Sequence, residues 1–263
     1  MELNLTAKRA FVSGSTRGIG YAIAKALLAE GVAVTINGRS EAAVRQAVGT
    51  LEKDLPGATV SGVVADFEHP ADVARLLETL ADVDILVNNV GLFEVAPFGD
   101  ITDATWQRYF DVNVMSGVRL SRHVLPRMLA QNWGRIIFIG SESGVNIPAD
   151  MVHYGMTKAG MLALSNGLAK LTGGTAVTVN TVLGGPTYSD GVAQAVTEIA
   201  RAQGMPEQDM KAALSAANTT SLLQRFIEPE EIANLVLYLA SPLSSATNGA
   251  AVRVDGGVLT STT

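Results

Sequence analysis

The residues Ala10-Phe11-Val12-Ser13-Gly14-Ser15-Thr16-Arg17-Gly18-Ile19-Gly20 combine an apolar run, a glycine-containing turn and the start of a helical pattern. The three glycines have the spacing G-x-x-x-G-x-G. Glycine tolerates the backbone conformations of tight turns and lets other groups approach the chain closely. The stretch therefore predicts a strand, a tight turn and a helix in direct succession, which is the opening unit of many α/β folds.

Short β-branched runs alternate with segments of helical periodicity through the rest of the chain. We predict seven strands, at 10–12, 32–36, 59–64, 85–87, 136–139, 177–179 and 251–254. We predict helices at 18–30, 40–54, 70–80, 103–131, 151–171 and 229–240. Several strands are apolar at consecutive positions, as strands covered on both faces are. The sequence thus predicts an α/β fold, with a doubly wound parallel sheet of about seven strands and helices on both faces.

The chain has 263 residues, which suits one large α/β core, and we expect a single domain over residues 1–263. The alternation of strands and helices is interrupted at Pro186 to Ile227, which is long and rich in Ala, Gln, Ser and Thr. A loop of this length inside a compact domain is usually functional. We interpret the segment as a partly helical flap over a binding site.

Composition and charge exclude several classes of protein. The chain is 48% hydrophobic and carries 19 Lys plus Arg against 25 Asp plus Glu, a net charge of −6 with no basic cluster, so we expect no nucleic-acid partner. It has no cysteine, and His69, His123 and His153 lie in unrelated segments, so we predict no metal site. We see no signal peptide or membrane-spanning run, and we expect a cytoplasmic protein without membrane contact.

The glycine turn favours a dinucleotide, because free N–H groups at a helix start bind a pyrophosphate. A turn needed only for helix–strand packing is the alternative. The second strand ends in Asn37-Gly38-Arg39-Ser40, without the acid that binds a ribose 2′-hydroxyl. Arg39 and Arg17 instead favour a 2′-phosphate, so we expect NADP(H) in preference to NAD(H), which stays possible. Alternatively, both arginines are ordinary solvated charges.

A possible catalytic group follows the fifth strand. Tyr154 and Lys158 are four residues apart and share one helix face. An ammonium about 4 Å away could lower the pKa of a phenol by roughly three units, which would suit the phenol for proton transfer. Ser141, at the carboxyl end of a strand, would hydrogen-bond the same substrate oxygen. The alternative is an ordinary surface pair on a helix.

Trp106, Phe110, Asn113 and Gly117 follow one stripe of the long helix before the fifth strand. Asn113 is the polar residue on this otherwise apolar stripe. A buried amide needs hydrogen-bond partners. Asn113 therefore either braces a neighbouring backbone segment or forms a link in a proton path.

Together these motifs resemble the short-chain dehydrogenase/reductases over nearly the whole chain. The resemblance rests on Gly14-x-x-x-Gly18-Ile19-Gly20, Asn88-Asn89-Val90-Gly91, Asn113, Ser141, Tyr154-x-x-x-Lys158 and Asp255-Gly256-Gly257, which occur in the family's order. It implies an NAD(P)-binding Rossmann-fold domain and a catalytic tetrad of Asn113, Ser141, Tyr154 and Lys158. It also implies a homotetramer.

With the two arginines included, the predicted cofactor-binding residues are Gly14, Thr16, Arg17, Gly18, Ile19, Gly20, Arg39, Asp66, Phe67, Asn89, Val90, Gly91, Tyr154, Lys158, Gly185, Thr187 and Ser189. The resemblance implies an NADP(H)-dependent oxidoreductase that interconverts a small-molecule ketone and a secondary alcohol. A 3-oxoacyl-thioester (acyl-carrier-protein) reductase is one specific candidate. The alternative from another class is a non-catalytic, NADP(H)-binding redox-sensing regulator.

Overall fold

The computed structural model describes residues 2–80 and 82–262, so Met1, Ala81 and Thr263 lie outside the described residues. The strands are β1 Arg9–Val12, β2 Ala33–Gly38, β3 Val60–Val64, β4 Ile85–Asn88, β5 Gly134–Ser141, β6 Val177–Gly184 and β7 Ala251–Val254. They form one sheet in the order β3-β2-β1-β4-β5-β6-β7, and every neighbouring pair is parallel. The predicted seven-stranded parallel sheet is confirmed.

Helices cover both faces of this sheet. They are α1 Gly18–Ala29, α2 Glu41–Asp54, α3 Pro70–Thr79, α4 Asp103–Tyr109, α5 Met115–Ala130, α6 Val152–Lys170, α7 Asp190–Gln203, α8 Glu207–Ala217 and α9 Pro229–Ala240. Residues of α1, α2 and α9 share one buried apolar cluster with the sheet, and residues of α3, α5 and α6 share the other. The fold is therefore the doubly wound Rossmann type that the sequence predicts.

Consecutive apolar residues in a strand serve both clusters, because side chains alternate across a sheet. Val12 packs in the cluster that contains Ile23 of α1, whereas Phe11 packs in the cluster that contains Leu120 of α5. Both strand residues are fully buried. This explains why the strands are apolar without interruption: each residue has a helical layer above or below it.

The strand order reverses between β1 and β4. From β1 the chain builds outward to β2 and β3, and from β4 it builds in the opposite direction to β5, β6 and β7. The loops that follow β1 and β4 therefore diverge and leave a crevice at the carboxyl edge of the sheet. Ligands of open α/β sheets bind at such a crevice.

The predicted helix at 103–131 is wrong as a continuous α-helix. A π-helical turn at Phe110–Val114 separates α4 from α5. Phe110, the first residue of this turn, is 39% exposed and Tyr109 is buried instead, whereas Asn113 and Gly117 of the predicted stripe are buried. Single π-turns within α-helices are frequent at functional sites. The apolar stripe predicted through Phe110 is corrected accordingly.

Two central strands are longer than predicted. β5 and β6 pair over eight residues each, from Gly134↔Val177 to Ser141↔Gly184. The predictions stopped early because polar residues interrupt the apolar pattern of β6. One of them, Asn180, is buried; it donates to Thr247 O at 2.7 Å and accepts from Ala250 N at 3.1 Å. Tertiary hydrogen bonds thus let an amide occupy a strand interior.

The predicted flap contains α7 and α8, which pack together through Val196, Ala200 and Met210. The flap returns to the body of the protein where Thr187 forms a parallel bridge with Ile227. Within the described part of the chain, no helix combines the length and apolar character that crossing a membrane requires.

Arg135 is a buried cation at the start of β5. Its Nη1 donates to Gly134 O at 2.9 Å and to Ala176 O at 2.8 Å, and its Nε and Nη2 both donate to Ser241 O at 3.3 Å. Burial lowers the pKa of this guanidinium to about 10. The side chain joins the loops before β6 and after α9 to the central sheet.

We expect Arg135→Lys to lower the free energy of unfolding by about 2–3 kcal/mol, because one ammonium cannot reach carbonyls on both sides of the strand. The measurement is urea-induced unfolding followed by circular dichroism. The control is Arg122→Lys, since Arg122 is exposed on α5. Equal stability of the two variants would contradict the bridging role of Arg135.

Candidate active site

The turn after β1 has the backbone conformation that its glycines predict. Gly14 and Gly18 have φ values of 61° and 60°, in the left-handed region that favours glycine. Gly20 is required for a different reason: a Cβ there would lie 2.5 Å from both Gly14 O and Asn89 Nδ2. The start of α1 is therefore packed directly against the loop that follows β4.

Side chains from three strands hold this turn in place. Asn37 at the end of β2 accepts a hydrogen bond from Gly14 N at 3.0 Å. The Ser13 hydroxyl accepts from Asn89 N at 2.9 Å and from Val90 N at 3.1 Å. In return, Asn89 Nδ2 donates to Ser13 O and to Gly14 O, both at 2.9 Å. The ends of β1, β2 and β4 are thus cross-linked around the glycine turn.

Two clefts lie along this turn and share six lining residues: Gly14, Arg17, Asn89, Gly91, Leu92 and Phe93. The larger cleft has a volume of about 720 Å³ and the smaller one about 240 Å³. Of the predicted cofactor-binding residues, the larger cleft is lined by Gly14, Thr16, Arg17, Arg39, Asp66, Phe67, Asn89, Val90 and Gly91. The smaller cleft adds Gly18, Ile19, Gly20, Tyr154, Lys158 and Ser189. Most of the predicted set is thereby brought together.

Two predicted cofactor-binding residues have other surroundings. Gly185 packs so closely on the Asp255 backbone that a Cβ would lie 2.5 Å from Asp255 O. Thr187 is buried and its hydroxyl donates to Gly185 O at 2.9 Å. Both residues thus help to pack the start of the flap against the body of the protein. Neither of them lines the two clefts.

Arg17 and Arg39 are exposed at the larger cleft. Glu68, at the same cleft, forms a two-pronged ion pair with Arg108, with contacts of 3.0 and 2.6 Å. This pairing lowers the pKa of Glu68, and the charge of Arg39 contributes in the same direction. Arg39 thus lies near Glu68, whose carboxylate is already paired with Arg108. The Arg39 guanidinium itself faces solvent.

Tyr154 and Lys158 share one face of α6, as their spacing predicts, and both line the smaller cleft. Lys158 Nζ lies 5.7 Å from the centre of the Tyr154 ring. The ammonium donates to Ile139 O on β5 at 2.8 Å. Lys158 is therefore fixed between the central sheet and the phenol.

The predicted lowering of the Tyr154 pKa is wrong for this structure. Burial raises the pKa of Tyr154 to about 12, although a hydrogen bond with Ser141 acts in the opposite direction. Burial also lowers the pKa of Lys158 to about 8. Removal from water penalises the charged form of each group, and the Lys158 ammonium, 5.7 Å from the centre of the Tyr154 ring, is directed at Ile139 O.

Ser141 ends β5 and is buried beside Tyr154. Its hydroxyl donates to the carboxylate of Glu142, the next residue. Its oxygen also accepts from Ser143 N at 3.1 Å. The single Ser141 proton therefore lies within reach of two acceptors, the Glu142 carboxylate and the Tyr154 oxygen.

Asn113 lies in the π-turn and is fully buried. Its amide accepts from Leu92 N at 2.7 Å and donates to Leu92 O at 3.0 Å and to Thr157 Oγ1 at 2.9 Å. Of the two interpretations, the side chain performs the first: it braces the loop after β4. A Cβ on Gly91 would be 3.6 Å from both Asn113 Oδ1 and Lys158 Nζ, so this loop lies directly beside the Tyr154–Lys158 pair.

Two charged residues of the site have no role in the sequence prediction. Asp190, the first residue of α7, accepts a hydrogen bond from Gly18 N at 2.5 Å. Glu142 lies beside Ser141. The sequence could have pointed to Glu142, because this residue directly follows the predicted catalytic Ser141. Asp190 and Gly18 are 172 positions apart in the sequence, so no local sequence pattern predicts their contact.

Comparisons with known proteins agree with this geometry. A family model described as enoyl-(acyl carrier protein) reductase matches residues 14–259. The oxidoreductase YvrD of Bacillus subtilis is 46% identical over 265 residues, which cover 99% of this chain and all of the relative. The D-beta-hydroxybutyrate dehydrogenase of Cupriavidus necator is 31% identical over 96% of this chain and 98% of its own.

A solved structure extends the likeness to three dimensions. The L-sorbose reductase of Gluconobacter frateurii, in complex with NADPH and L-sorbose, superposes with a TM-score of 0.93 at 29% identity. The match covers 99% of this chain and all of that chain. The sheet order, the glycine turn and the Tyr154–Lys158 pair agree with the similarity over the whole length. The chain is an oxidoreductase of the short-chain dehydrogenase/reductase family.

Proposed function

We propose that this enzyme reduces a ketone to a secondary alcohol with NADPH, and catalyses the reverse reaction, with Tyr154 as the general acid and base. One observation carries the proposal. Tyr154 and Lys158 line the smaller cleft together with the turn Gly18–Gly20 at the start of α1. The proton donor Tyr154 and the N–H groups at the start of α1, which suit an anion, therefore line the same cleft. Reduction of a carbonyl group beside a bound dinucleotide requires both.

The residues of the two clefts fit a dinucleotide phosphate. The Asp190 carboxylate, held by Gly18 N at 2.5 Å, is a stand-in anion at the start of α1. A pyrophosphate oxygen has the same charge and accepts the same hydrogen bond. Gly14, Gly18 and Gly20 keep the backbone free of side chains there, and Arg17 and Arg39 would hold the 2′-phosphate at the larger cleft. When bound, the nicotinamide supplies or accepts the hydride.

The protein's own contribution is the proton. With a pKa of about 12, Tyr154 keeps its phenolic proton at neutral pH and can deliver it to a carbonyl oxygen. Ser141 can donate its hydrogen bond to the same oxygen. Lys158 is cationic at neutral pH, since its pKa is about 8, and its ammonium stabilises the phenolate that forms as the proton leaves.

The loop beside this group is kept in place by a short chain of hydrogen bonds. Asn113 binds Leu92 and donates to the Thr157 hydroxyl at 2.9 Å, and the Thr157 hydroxyl donates to the main-chain carbonyl oxygen of Tyr154 at 2.7 Å. These hydrogen bonds join α6, the π-turn and the loop after β4. We infer that Asn113 acts by positioning Tyr154 and the loop, because its side-chain amide already has three partners.

Charge near the flap favours a small free ketone over a carrier-bound 3-oxoacyl thioester. A carrier protein with an acidic surface needs unpaired cations around the site entrance. On the flap, Arg225 forms an ion pair with Glu231 at 2.7 Å, and Lys211 lies 3.6 Å from Glu228. Arg201, the third cation of residues 186–227, is exposed and forms no ion pair in the described structure. The flap thus offers one unpaired cation, where a carrier protein would need a positive face.

We expect Tyr154→Phe to lower the rate of ketone reduction by about 10²–10⁴-fold, because it removes the proton donor and little volume. NADPH consumption with a panel of ketones measures the rate, and NADPH fluorescence confirms that the cofactor still binds. The control is Tyr238→Phe, which changes a partly exposed phenol on α9. Unchanged turnover in Tyr154→Phe would overturn the proposal, and a wild-type protein that binds NADPH without reducing any ketone would favour a regulator.

We expect Arg39→Ala to weaken NADPH binding about tenfold and to leave NADH binding nearly unchanged, because only NADPH carries the 2′-phosphate. Fluorescence titration gives both dissociation constants. Arg45→Ala on α2 removes the same charge from an exposed position and is the control. Equal losses for the two cofactors would remove the argument for NADP(H).

We expect Asp190→Asn to tighten NADPH binding by about threefold to tenfold, because the carboxylate competes with the pyrophosphate for Gly18 N and also repels it. The dissociation constant is again measured by fluorescence titration. Asp209→Asn makes the same charge change in the first turn of α8 and should have little effect. Weaker NADPH binding by Asp190→Asn would show instead that the carboxylate supports the cofactor.

A further inference from the structure

Glu142 is an ionisable group inside the proposed active site that the proton chemistry above does not use. It directly follows Ser141 in a short 3-10 turn at the end of β5. Its Oε2 accepts from the Ser141 hydroxyl and, at 2.8 Å, from Ser143 N. Its Oε1 accepts from the Ser143 hydroxyl at 3.2 Å. The carboxylate is thus fixed one hydrogen bond away from the group that would hold the substrate oxygen.

The charge of Glu142 reaches the reacting groups. It contributes to the raised pKa of Tyr154, and it acts on Lys158 against the lowering caused by burial. The Lys158 ammonium is directed at Ile139 O, at 2.8 Å, and does not form an ion pair with Glu142. The Glu142 carboxylate therefore lies beside Ser141 without an ammonium partner in the site.

Exposed apolar side chains follow the Glu142 turn in the chain, and another lines the smaller cleft. Val145 and Ile147 follow the Glu142 turn directly and are exposed, and Ile147 packs against Gly155, beside Tyr154. Across the smaller cleft, Phe93 is exposed and its ring lies next to Gly191 at the start of the flap. A substrate beside Tyr154 would therefore have apolar side chains within reach, and the Glu142 carboxylate would be one hydrogen bond beyond Ser141.

We propose that Glu142 determines the substrate class of this enzyme: neutral ketones with a hydroxyl group on the carbon next to the carbonyl, in preference to ketones with a carboxylate there. This inference rests on the proposed ketone reduction and deepens it. Glu142 acts as a specificity-determining residue, and the proton still comes from Tyr154.

Two physical effects act in the same direction. A hydroxyl on the neighbouring carbon lies close to the carbonyl oxygen and can donate to the Glu142 carboxylate, whose oxygens each accept more than one hydrogen bond. A substrate carboxylate at that position would place a second negative charge beside the partly buried Glu142 carboxylate, and like charges at such short range repel. The unreactive half of the substrate would have the apolar side chains within reach in both cases.

Three small ketones of nearly equal size separate these effects: hydroxyacetone, butanone and pyruvate. Each is presented as a substrate and also as a competitive inhibitor of the best ketone of the panel. We expect the wild-type enzyme to prefer hydroxyacetone over butanone and butanone over pyruvate in kcat/KM, and the inhibition constants to follow the same order. Glu142→Gln should raise the ratio of kcat/KM for pyruvate to kcat/KM for butanone about tenfold, because any effect on Ser141 or Tyr154 is common to both ketones and cancels in the ratio.

Two further variants serve as controls. Glu142→Asp keeps the charge and should keep pyruvate excluded, whereas Glu52→Gln makes the same change of net charge on the exposed face of α2 and should alter no ratio. Equal changes for all three ketones in Glu142→Gln would overturn the proposal and assign Glu142 to the positioning of Ser141. A wild-type enzyme that reduces no ketone of the panel would contradict the proposed function itself, so the two failures are distinguishable.

Discussion

The parallel pairing of β1 with β4 is the constraint on which the site depends. Three residue pairs, from Ala10↔Ile85 to Val12↔Val87, bring the ends of two strands to the same edge of the sheet. Parallel strands at a reversal of strand order leave their loops on either side of a crevice. The Ser13 hydroxyl and the Asn89 amide then join the two loops by hydrogen bonds at 2.9–3.1 Å. Without this register, α1 would not point its free N–H groups into the crevice.

Removal from water controls the chemistry of the Tyr154–Lys158 pair. Burial favours the neutral form of both groups, so the phenol keeps its proton and the ammonium becomes more acidic. A protonated phenol suits the delivery of a proton to a carbonyl oxygen. In the reverse direction the same phenol must first lose its proton, and the nearby Glu142 charge makes that loss harder.

The flap connects the cofactor side of the crevice to the substrate side. Asp190 at its start binds Gly18 N, and Gly191 faces the ring of Phe93. The first turn of α7 therefore contacts both the start of α1 and Phe93, which lines both clefts.

The sequence by itself determined the strand–turn–helix unit at Gly14–Gly20, the seven strands and the placement of Tyr154 and Lys158 on one helix face, because each depends on local periodicity or spacing. Only the tertiary structure decided the π-turn at Phe110–Val114, the full length of β6 and the contact of Asp190 with Gly18. These features depend on partners distant in sequence. The direction of the Tyr154 pKa belongs with them, since burial is a property of the packed fold and no pair spacing encodes it.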